Sequence, residues 1–293
     1  VRKLVKEADV VFTQSIGPIG ALAMIWADRL RKPLYAYAHS IEWELVPKSI
    51  DKFKRTMTSI TKSFARYLYN KCDFIFVPSE DSSKALTYGG VTPQKKVIPL
   101  GVDPSAFRPP KSKNTAKKKA GLSQKAVVIG FVGRVAREKD LPTLYKAFRR
   151  LQNKYDNLRL LIVGRGIDVS SLFNEMDDIK HIMVSNDVRR YYQAMDIFVM
   201  PSLTETSSLA TIEAMSCGLP VVATPVGSMQ EYISDGKNGY LFPPREPSVL
   251  AKKLSKLIEN KDLRKAIGSM ARKTITANYS WDRTVNEIEE MIG

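Results

Sequence analysis

Short runs of β-branched and other apolar residues alternate with helical hydrophobic patterns along the whole chain. Such alternation is typical of βαβ units, so it predicts an α/β fold with parallel sheets. In the first part of the chain the predicted strands are residues 8–14, 33–38, 73–78 and 96–100. In the second part they are residues 126–133, 158–164, 181–184, 196–200, 219–224 and 239–242. The second part is therefore predicted to be a nearly complete Rossmann-type domain, and the first part is short of strands.

A basic, proline-containing segment separates the two parts. Residues 108–125 contain seven Lys and Arg and no acidic residue, which predicts an exposed, solvated linker. We expect an N-terminal domain over residues 1–104, a C-terminal domain over 105–278 and a closing helix over 279–293. Because the chain begins at Val1 and enters a predicted strand almost at once, the first domain is expected to lack its opening.

The composition indicates a globular protein and gives a first expectation for its location. The chain has 293 residues, of which 44% are hydrophobic, and no apolar run approaches the ~18 residues that would span a bilayer. The sequence shows no leading signal-type segment. Cys72 and Cys217 lie in apolar or helical contexts, so we expect buried free thiols in a reducing cytoplasm.

The formal net charge of +16 predicts an acidic partner. Besides the linker, basic residues cluster in residues 48–71, where apolar residues recur at helical spacing: Ile50, Phe53, Met57, Ile60, Phe64 and Leu68. Two interpretations remain open: a helix on an anionic membrane surface, which would make the protein peripheral at the inner membrane face, or a surface helix packed on its own sheet. Nucleic acid is not expected, because there is no recognition motif and no interleaved stacking aromatic residue.

Two glutamates lie in the segment PSLTETSSLATIEAMSCGLPVVA, residues 201–223. A loop is predicted after the strand that ends at Met200, followed by a helix that begins near residues 206–208 and ends at Cys217 and Gly218. Glu205 is then on the loop at the carboxyl end of a strand, and Glu213 is inside the helix. Ligands of open α/β sheets bind at such carboxyl ends.

Cations follow the first strand of the second domain. In GRVAREKD, residues 133–140, Arg134 and Lys139 precede a predicted helix start. Fixed cations beside free backbone amides form a diphosphate site that needs no metal. Gly164, in VGRG at residues 163–166, indicates only that backbone or ligand passes closely.

Taken together, these segments resemble the GT4-type retaining glycosyltransferases of the GT-B fold, the glycosyl transferases of group 1. The matching motifs are AHS at 38–40, FVPSE at 76–80, VIPLGVDPSAFRP at 97–109, GRVAREKD, VGRG, AMDIFVMPS at 194–202, the two glutamates with EAMSCGLPVVAT, GKNGYLFPP at 236–244 and the closing YSWDRTVNEIEEMI at 279–292. The resemblance implies two Rossmann-like domains whose parallel sheets face across a cleft, with the first domain incomplete. Residues 1–104 would then form the acceptor-side domain and residues 105–278 the nucleotide-sugar-binding domain, and the helix over 279–293 would cross back to the first domain.

The resemblance also implies roles for individual residues. Arg134 and Lys139 would hold the donor diphosphate and stabilise the charge that develops as the sugar leaves. Glu205 would bind hydroxyls of the donor sugar, Glu213 the ribose hydroxyls, and His39 the transferred sugar. The expected catalytic set is His39, Glu205, Arg134 and Lys139, and the expected donor site adds Gly133, Gly164, Ser207, Ser208, Leu209 and Glu213. No metal and no cofactor is expected beyond the nucleotide-sugar donor.

Several points stay open at this level. Many relatives have glycine where this chain has Thr206 and Ser208. The acceptor, expected beside residues 41–47 and 48–71, is a lipid or polyprenyl-linked sugar, a soluble sugar or a small metabolite. The donor nucleotide, UDP or GDP, also stays open. Its base is expected near residues 185–189. The alternative function is an inactive nucleotide-sugar-binding module or fragment.

Overall fold

The computed structural model describes residues 1–45, 54–166, 178–183 and 187–293. The chain divides into two compact units, Val1–Pro99 together with Thr284–Gly293, and Leu100–Arg283. The domain boundaries expected at 104/105 and 278/279 stay a prediction.

In its described residues the first unit contains a four-stranded parallel sheet. The strands, in hydrogen-bonded order, are β1 (Val11–Thr13), β2 (Leu34–Tyr37), β3 (Phe74–Val77) and β4 (Gln94–Val97). The helices are α1 (Arg2–Glu7), α2 (Pro18–Arg29), α3 (Glu42–Leu45), α4 (Lys54–Tyr69) and α5 (Glu80–Tyr88). Local signals set their ends: Pro18 opens α2, and Ser79 caps α5 by accepting from the N–H of Ser82 at 3.1 Å.

The second unit contains a larger parallel sheet with helices on its faces. Its strands are β5 (Val127–Val132), β6 (Leu158–Val163), β7 (Ile179–Ile182), β8 (Ile197–Met200), β9 (Val221–Ala223) and β10 (Tyr240–Leu241). Its helices are α6 (Lys113–Lys119), α7 (Leu141–Gln152), α8 (Arg189–Ala194), α9 (Leu209–Ser216), α10 (Met229–Tyr232), α11 (Pro247–Glu259) and α12 (Lys261–Asn278). A last helix, α13 (Trp281–Ile292), runs from the second unit into the first, where the Thr284 hydroxyl donates to the Pro99 carbonyl at 2.7 Å.

The strand order of the second sheet creates a crevice for a ligand. The order is β10-β9-β8-β5-β6-β7 and all pairs are parallel. The chain moves outward from β5 to β7, returns to β8 beside β5, and then moves outward in the opposite direction. Open α/β sheets bind ligands outside the carboxyl ends of the strands at this switch point, which lies here between β5 and β8.

The fold predicted from the alternating pattern is confirmed: both sheets are parallel and belong to an α/β architecture. The central strands β5, β6 and β8 are nearly continuous apolar runs, as expected for strands that are buried on both faces of a parallel sheet, and β8 is buried throughout. Val184, at the end of the strand predicted over 181–184, lies outside the described residues.

The prediction that residues 108–125 are exposed holds for most of the segment, but the interpretation as a linker between the units was wrong, because the segment lies inside the second unit. This segment contains α6, capped by Ser112, which accepts from the N–H of Thr115 at 3.3 Å. The ammonium of Lys117 is buried, 2.7 Å from a carboxylate oxygen of Asp196 and 2.7 Å from the carbonyl oxygen of Ala126. Charge density predicted exposure, but an acidic partner 79 positions further along the chain allows this lysine to be buried.

Candidate active site

The loop between β8 and α9 carries the first glutamate, and its backbone is held firmly. The helix begins at Leu209 after Ser208 and ends before Cys217, as predicted. The N–H of Ser228 donates to the Thr206 carbonyl at 2.9 Å. Gly227 lies so close that a Cβ there would be 2.3 Å from the carbonyl oxygen of Glu205. The backbone of residues 205–206 is therefore fixed from the neighbouring loop.

Glu205 meets one of the two predicted cations. Its Oε1 is 2.5 Å from the Nζ of Lys139 and accepts from the hydroxyl of Ser202 at 2.7 Å. The side chains of Glu205 and Lys139 are 10% and 16% exposed. The N–H of Leu203 also donates to the Glu138 carbonyl at 2.8 Å, which ties the two segments together. A buried pair of this kind places a cation and a hydrogen-bond acceptor side by side at the carboxyl edge of the sheet.

The other predicted cation lies in a different environment. Arg134 forms an ion pair with Glu138, four residues along, and its side chain is 73% exposed. Lys139 ends a short 3₁₀ helix, Arg137–Lys139. The guanidinium of Arg134 is therefore accessible to an anionic ligand at the surface, whereas the ammonium of Lys139 is already paired with Glu205.

Two predicted glycines pack against each other at the ends of β5 and β6. A Cβ on Gly164, whose φ is +145°, would be 1.8 Å from the carbonyl oxygen of Gly133. The ring Nε2 of His181 lies 2.6 Å from the Gly164 carbonyl oxygen. This close backbone approach is itself sufficient to require glycine at position 164.

The start of α9 contains the three predicted amide-bearing residues. Ser208 has φ +51° and ψ +66°, a left-handed conformation, and its hydroxyl lies 2.8 Å from that of Thr211. The carbonyl of Ser207 accepts from Tyr232 at 3.1 Å, while the buried Ser207 hydroxyl has no hydrogen-bond partner among the described residues. Leu209 is 42% exposed. A helix N-terminus with this geometry favours an anion.

Glu213 is half-buried on α9 and is held by a residue that the sequence reasoning missed. The hydroxyl of Tyr192, on α8, donates to Glu213 Oε2 at 2.7 Å. Burial raises the pKa of Glu213 above its usual range, and the hydrogen bond from Tyr192 opposes this shift. Ser202 was missed in the same way. Both residues flank β8 in sequence, but nothing in the local pattern shows that their hydroxyls reach the two glutamates.

His39 belongs to the first unit, directly after β2. Its ring centroid is 4.5 Å from that of Tyr37, and burial lowers the pKa of His39 below its usual value. The imidazole is therefore mainly neutral at pH 7 and suits a hydrogen bond to a hydroxyl.

Two expected ligand segments are only partly described. Residues 185–186 of the expected base-binding segment and residues 46–53 of the expected acceptor region lie outside the described residues. In the described part of the former, Arg189 pairs with Asp187 at 2.7 Å. No cluster of three or more His, Cys, Asp or Glu suited to a metal ion occurs in the described ranges. In those ranges no helix has both the length and the apolar character needed to cross a membrane.

Two parallel-sheet units, one with a lysine–glutamate pair and a helix start at its switch point, define a protein of the GT-B glycosyltransferase class. The chain belongs to the group 1 glycosyltransferases: the family model Glycosyl transferases group 1 matches residues 112–274. The model Glycosyltransferase Family 4 matches residues 1–106.

Comparisons with individual proteins agree with this family. Sulfoquinovosyl transferase SQD2 of Arabidopsis thaliana is 31% identical over 96% of this chain and 55% of the relative. D-inositol 3-phosphate glycosyltransferase of Corynebacterium urealyticum is 32% identical over 67% of this chain and 50% of the relative. The chain thus spans about half the length of these curated relatives. The fold is shared with Anabaena HepE in complex with UDP, at a TM-score of 0.86 and 23% identity over 99% of this chain and 80% of that one. The complex of HepE with UDP-glucose gives a TM-score of 0.83.

Proposed function

We propose that the protein transfers a hexose from a UDP- or GDP-linked donor to an acceptor hydroxyl with retention of the anomeric configuration. The observation that carries this proposal is the 2.5 Å contact between Lys139 and Glu205. It joins a cation expected to bind the diphosphate to a carboxylate expected to bind the sugar, as a nucleotide-sugar site requires.

The residues of the second unit suit stabilisation of a departing diphosphate. As the bond between the anomeric carbon and the phosphate oxygen breaks, its electron pair goes to the diphosphate, whose growing charge Arg134 and Lys139 would stabilise. The acceptor oxygen forms its bond on the same face of the sugar, and its proton goes to the departing phosphate oxygen. We assign these roles to the two cations and no step to a metal or cofactor.

The glutamates are best suited to orienting hydroxyl groups. Glu205 already accepts hydrogen bonds from Lys139 and Ser202, so its carboxylate is stabilised as an acceptor and is a poor nucleophile. Glu213 would accept from the ribose, and the neutral His39 would reach the transferred sugar from the first unit. This differs from a glycosidase, where one carboxyl group is a proton donor and the other a nucleophile or base.

The comparisons favour UDP as the nucleotide, but they do not distinguish between several donor sugars and acceptors. HepE was solved with UDP and with UDP-glucose. The names of the two relatives denote sulfoquinovosyl transfer and action on D-inositol 3-phosphate. UDP is thus the first nucleotide to test, with GDP beside it.

A lipid or polyprenyl-linked acceptor is supported by the outer surface of α4. Ile60, Phe64 and Tyr67 are 56%, 45% and 56% exposed, and their spacing of four and three residues places them on one face. Exposed apolar residues with interspersed Arg and Lys suit the surface of an anionic membrane. We therefore propose peripheral attachment of a cytoplasmic enzyme at the inner membrane face.

Calorimetric titration tests the donor site. Purified protein is titrated, without added metal, with UDP, GDP, UDP-glucose and GDP-mannose. We expect one nucleotide series to bind and Glu213→Ala to abolish that binding. The matched control is Glu246→Ala, which removes an exposed carboxylate of the same unit. A folded wild type that binds none of the four ligands would contradict the proposal. A chain that binds the donor but transfers no sugar would be a binding module.

A further inference from the structure

Tyr192 combines complete burial with a single charged partner. Its ring lies 6.0 Å from that of Phe107 and 5.8 Å from that of Phe198, measured between centroids. The hydroxyl lies 2.7 Å from Oε2 of Glu213. A phenol buried this completely requires a hydrogen-bond partner, and Glu213 provides it.

The contact restricts a flexible side chain. Glu213 projects from α9 through three rotatable bonds, and without a partner it would sample several rotamers. In the described part of the chain, Tyr192 alone donates a side-chain hydrogen bond to its carboxylate, at Oε2. Oε1 therefore stays available to a ligand in a defined direction.

We propose that Tyr192 is a positioning residue for nucleotide binding, which holds Glu213 so that its second carboxylate oxygen meets the ribose hydroxyls of the donor. This inference rests on the proposed function, because it assumes that Glu213 faces ribose. Tyr192 takes no part in the chemical step. Its effect is that the carboxylate of Glu213 is already oriented before the donor binds.

The same hydrogen bond also favours the ionised form of Glu213. Burial raises the pKa of Glu213, and Tyr192 opposes the shift because its O–H stabilises the carboxylate. Among the described residues, Cys217, which directly follows the end of α9, also interacts with the pair, and Lys113 on α6 and Arg272 on α12 in turn interact with Cys217. Nucleotide binding that requires ionised Glu213 should weaken as the pH falls through the pKa of this group. Removal of the Tyr192 hydroxyl should move that loss to higher pH.

The test compares Tyr192→Phe with Tyr191→Phe, using the whole chain. Tyr191 is the neighbouring buried tyrosine, and its hydroxyl accepts from Arg190 at 2.7 Å instead of contacting a glutamate. UDP affinity is measured by calorimetry from pH 5 to pH 8. We expect Tyr192→Phe to weaken UDP binding about ten-fold at pH 7, since hydrogen bonds to charged groups contribute most. Tyr191→Phe should leave it unchanged.

Two further measurements separate positioning from a general loss of packing. In the Glu213→Gln background, Tyr192→Phe should weaken UDP binding much less than it does in the wild type. For 2′,3′-dideoxyuridine diphosphate, which lacks both ribose hydroxyls, Tyr192→Phe and wild type should bind equally. The inference is overturned if Tyr192→Phe matches Tyr191→Phe in affinity and pH profile, or if its effect persists with the dideoxy ligand. A wild type that binds no nucleotide would instead overturn the proposed function itself.

Discussion

Ser208 shows how a single backbone conformation shapes the donor site. A residue with a Cβ is strained at φ +51°, and glycine is not. The glycine that the family resemblance implies at this position would therefore suit the backbone. The present chain keeps a hydroxyl that contacts Thr211.

This strain can be measured by two substitutions that both remove the hydroxyl. We expect Ser208→Gly to be more stable than Ser208→Ala by about 1 kcal/mol, because only alanine retains the Cβ. Urea denaturation of the two variants gives the difference in unfolding free energy. Equal stabilities, or a more stable alanine variant, would show that residue 208 is not left-handed in solution.

At the level of single residues, only part of the candidate site could be predicted from the sequence. Glu205, Glu213, Arg134 and Lys139 were predicted through short motifs, and the structure brings Lys139 to Glu205 across 66 positions. Ser202 and Tyr192 were missed, because serine and tyrosine beside a buried strand are common and only the folded chain shows where their hydroxyls point.

At the level of elements, the junction of α3 and α4 contains an unfavourable buried carboxylate. Glu42 Oε1 accepts from the Tyr69 hydroxyl at 2.8 Å, whereas Oε2 is buried without a partner in the described residues. Burial raises the pKa of Glu42 against the opposing hydrogen bond from Tyr69. A buried charge that lacks part of its hydrogen bonding lowers stability.

Stability should therefore depend on pH through Glu42. Burial raises the pKa of Glu42 in the folded state, so the folded protein favours the protonated carboxyl group. Its contribution to stability is complete below the unfolded pKa of about 4.3 and is lost as the pH rises through the folded pKa. We expect Glu42→Gln to stabilise the protein by about 1 kcal/mol at pH 7, with the difference shrinking towards pH 4. Glu44→Gln, on the exposed side of the same helix, is the control. An equal effect of both variants across this pH range would contradict the assignment.

The helix α4 has two apolar surfaces. This bears on whether the helix packs on its own unit or lies on a membrane surface, which its sequence left open. Ala65, Leu68 and Tyr69 are buried in the first unit, so one face does pack on its own unit. Ile60 and Phe64 remain exposed, and Ile50 and Phe53 lie outside the described residues. Periodicity alone could not distinguish these faces, because apolar residues occur on both.

Vesicle binding tests the exposed face. We expect the protein to sediment with vesicles that contain phosphatidylglycerol and to stay in solution with pure phosphatidylcholine vesicles. Ile60→Ser with Phe64→Ser should weaken that binding about ten-fold, because apolar area is lost from the interface. Tyr88→Ser, which removes an exposed aromatic residue from α5, should have no effect. Unchanged binding of the double variant would show that charge alone attracts the protein.

For the whole molecule, the residues of the proposed donor site are unevenly divided between the units. Arg134, Lys139, Glu205 and Glu213 all belong to Leu100–Arg283, and His39 alone of the predicted catalytic set belongs to the first unit. The second unit also has its own large apolar core around β5, β6 and β8. It should therefore fold without the first unit.

A fragment of residues 100–283 should retain nucleotide binding. We expect its UDP affinity to be within about three-fold of that of the whole chain, because the residues proposed to contact phosphate and ribose all belong to this unit. Calorimetry with the fragment and with its Glu213→Ala variant provides the comparison. A folded fragment that fails to bind UDP, when the whole chain binds it, would show that the first unit contributes to the nucleotide site.

The overall architecture was the most predictable level. Runs such as residues 126–133 and 158–164 became β5 and β6 because long apolar strands have few alternatives in a parallel sheet. The burial of Lys117 within residues 108–125 could not be predicted equally well, because it depends on the ion pair with Asp196. Local periodicity thus predicts elements, while long-range ion pairs decide which charges are buried.

The different surroundings of Lys139 and Arg134 have a consequence for the effect of ionic strength. Mobile ions screen exposed charges over a distance of about 10 Å at 0.1 M salt but act much less on buried pairs. Lys139 is enclosed with Glu205, whereas Arg134 projects into solvent. We therefore expect salt to weaken the attraction between Arg134 and an approaching phosphate, and to leave the contact between Lys139 and Glu205 largely intact. With the roles proposed above, Arg134 would govern how readily the donor arrives in a given electrolyte, and Lys139 how firmly it stays.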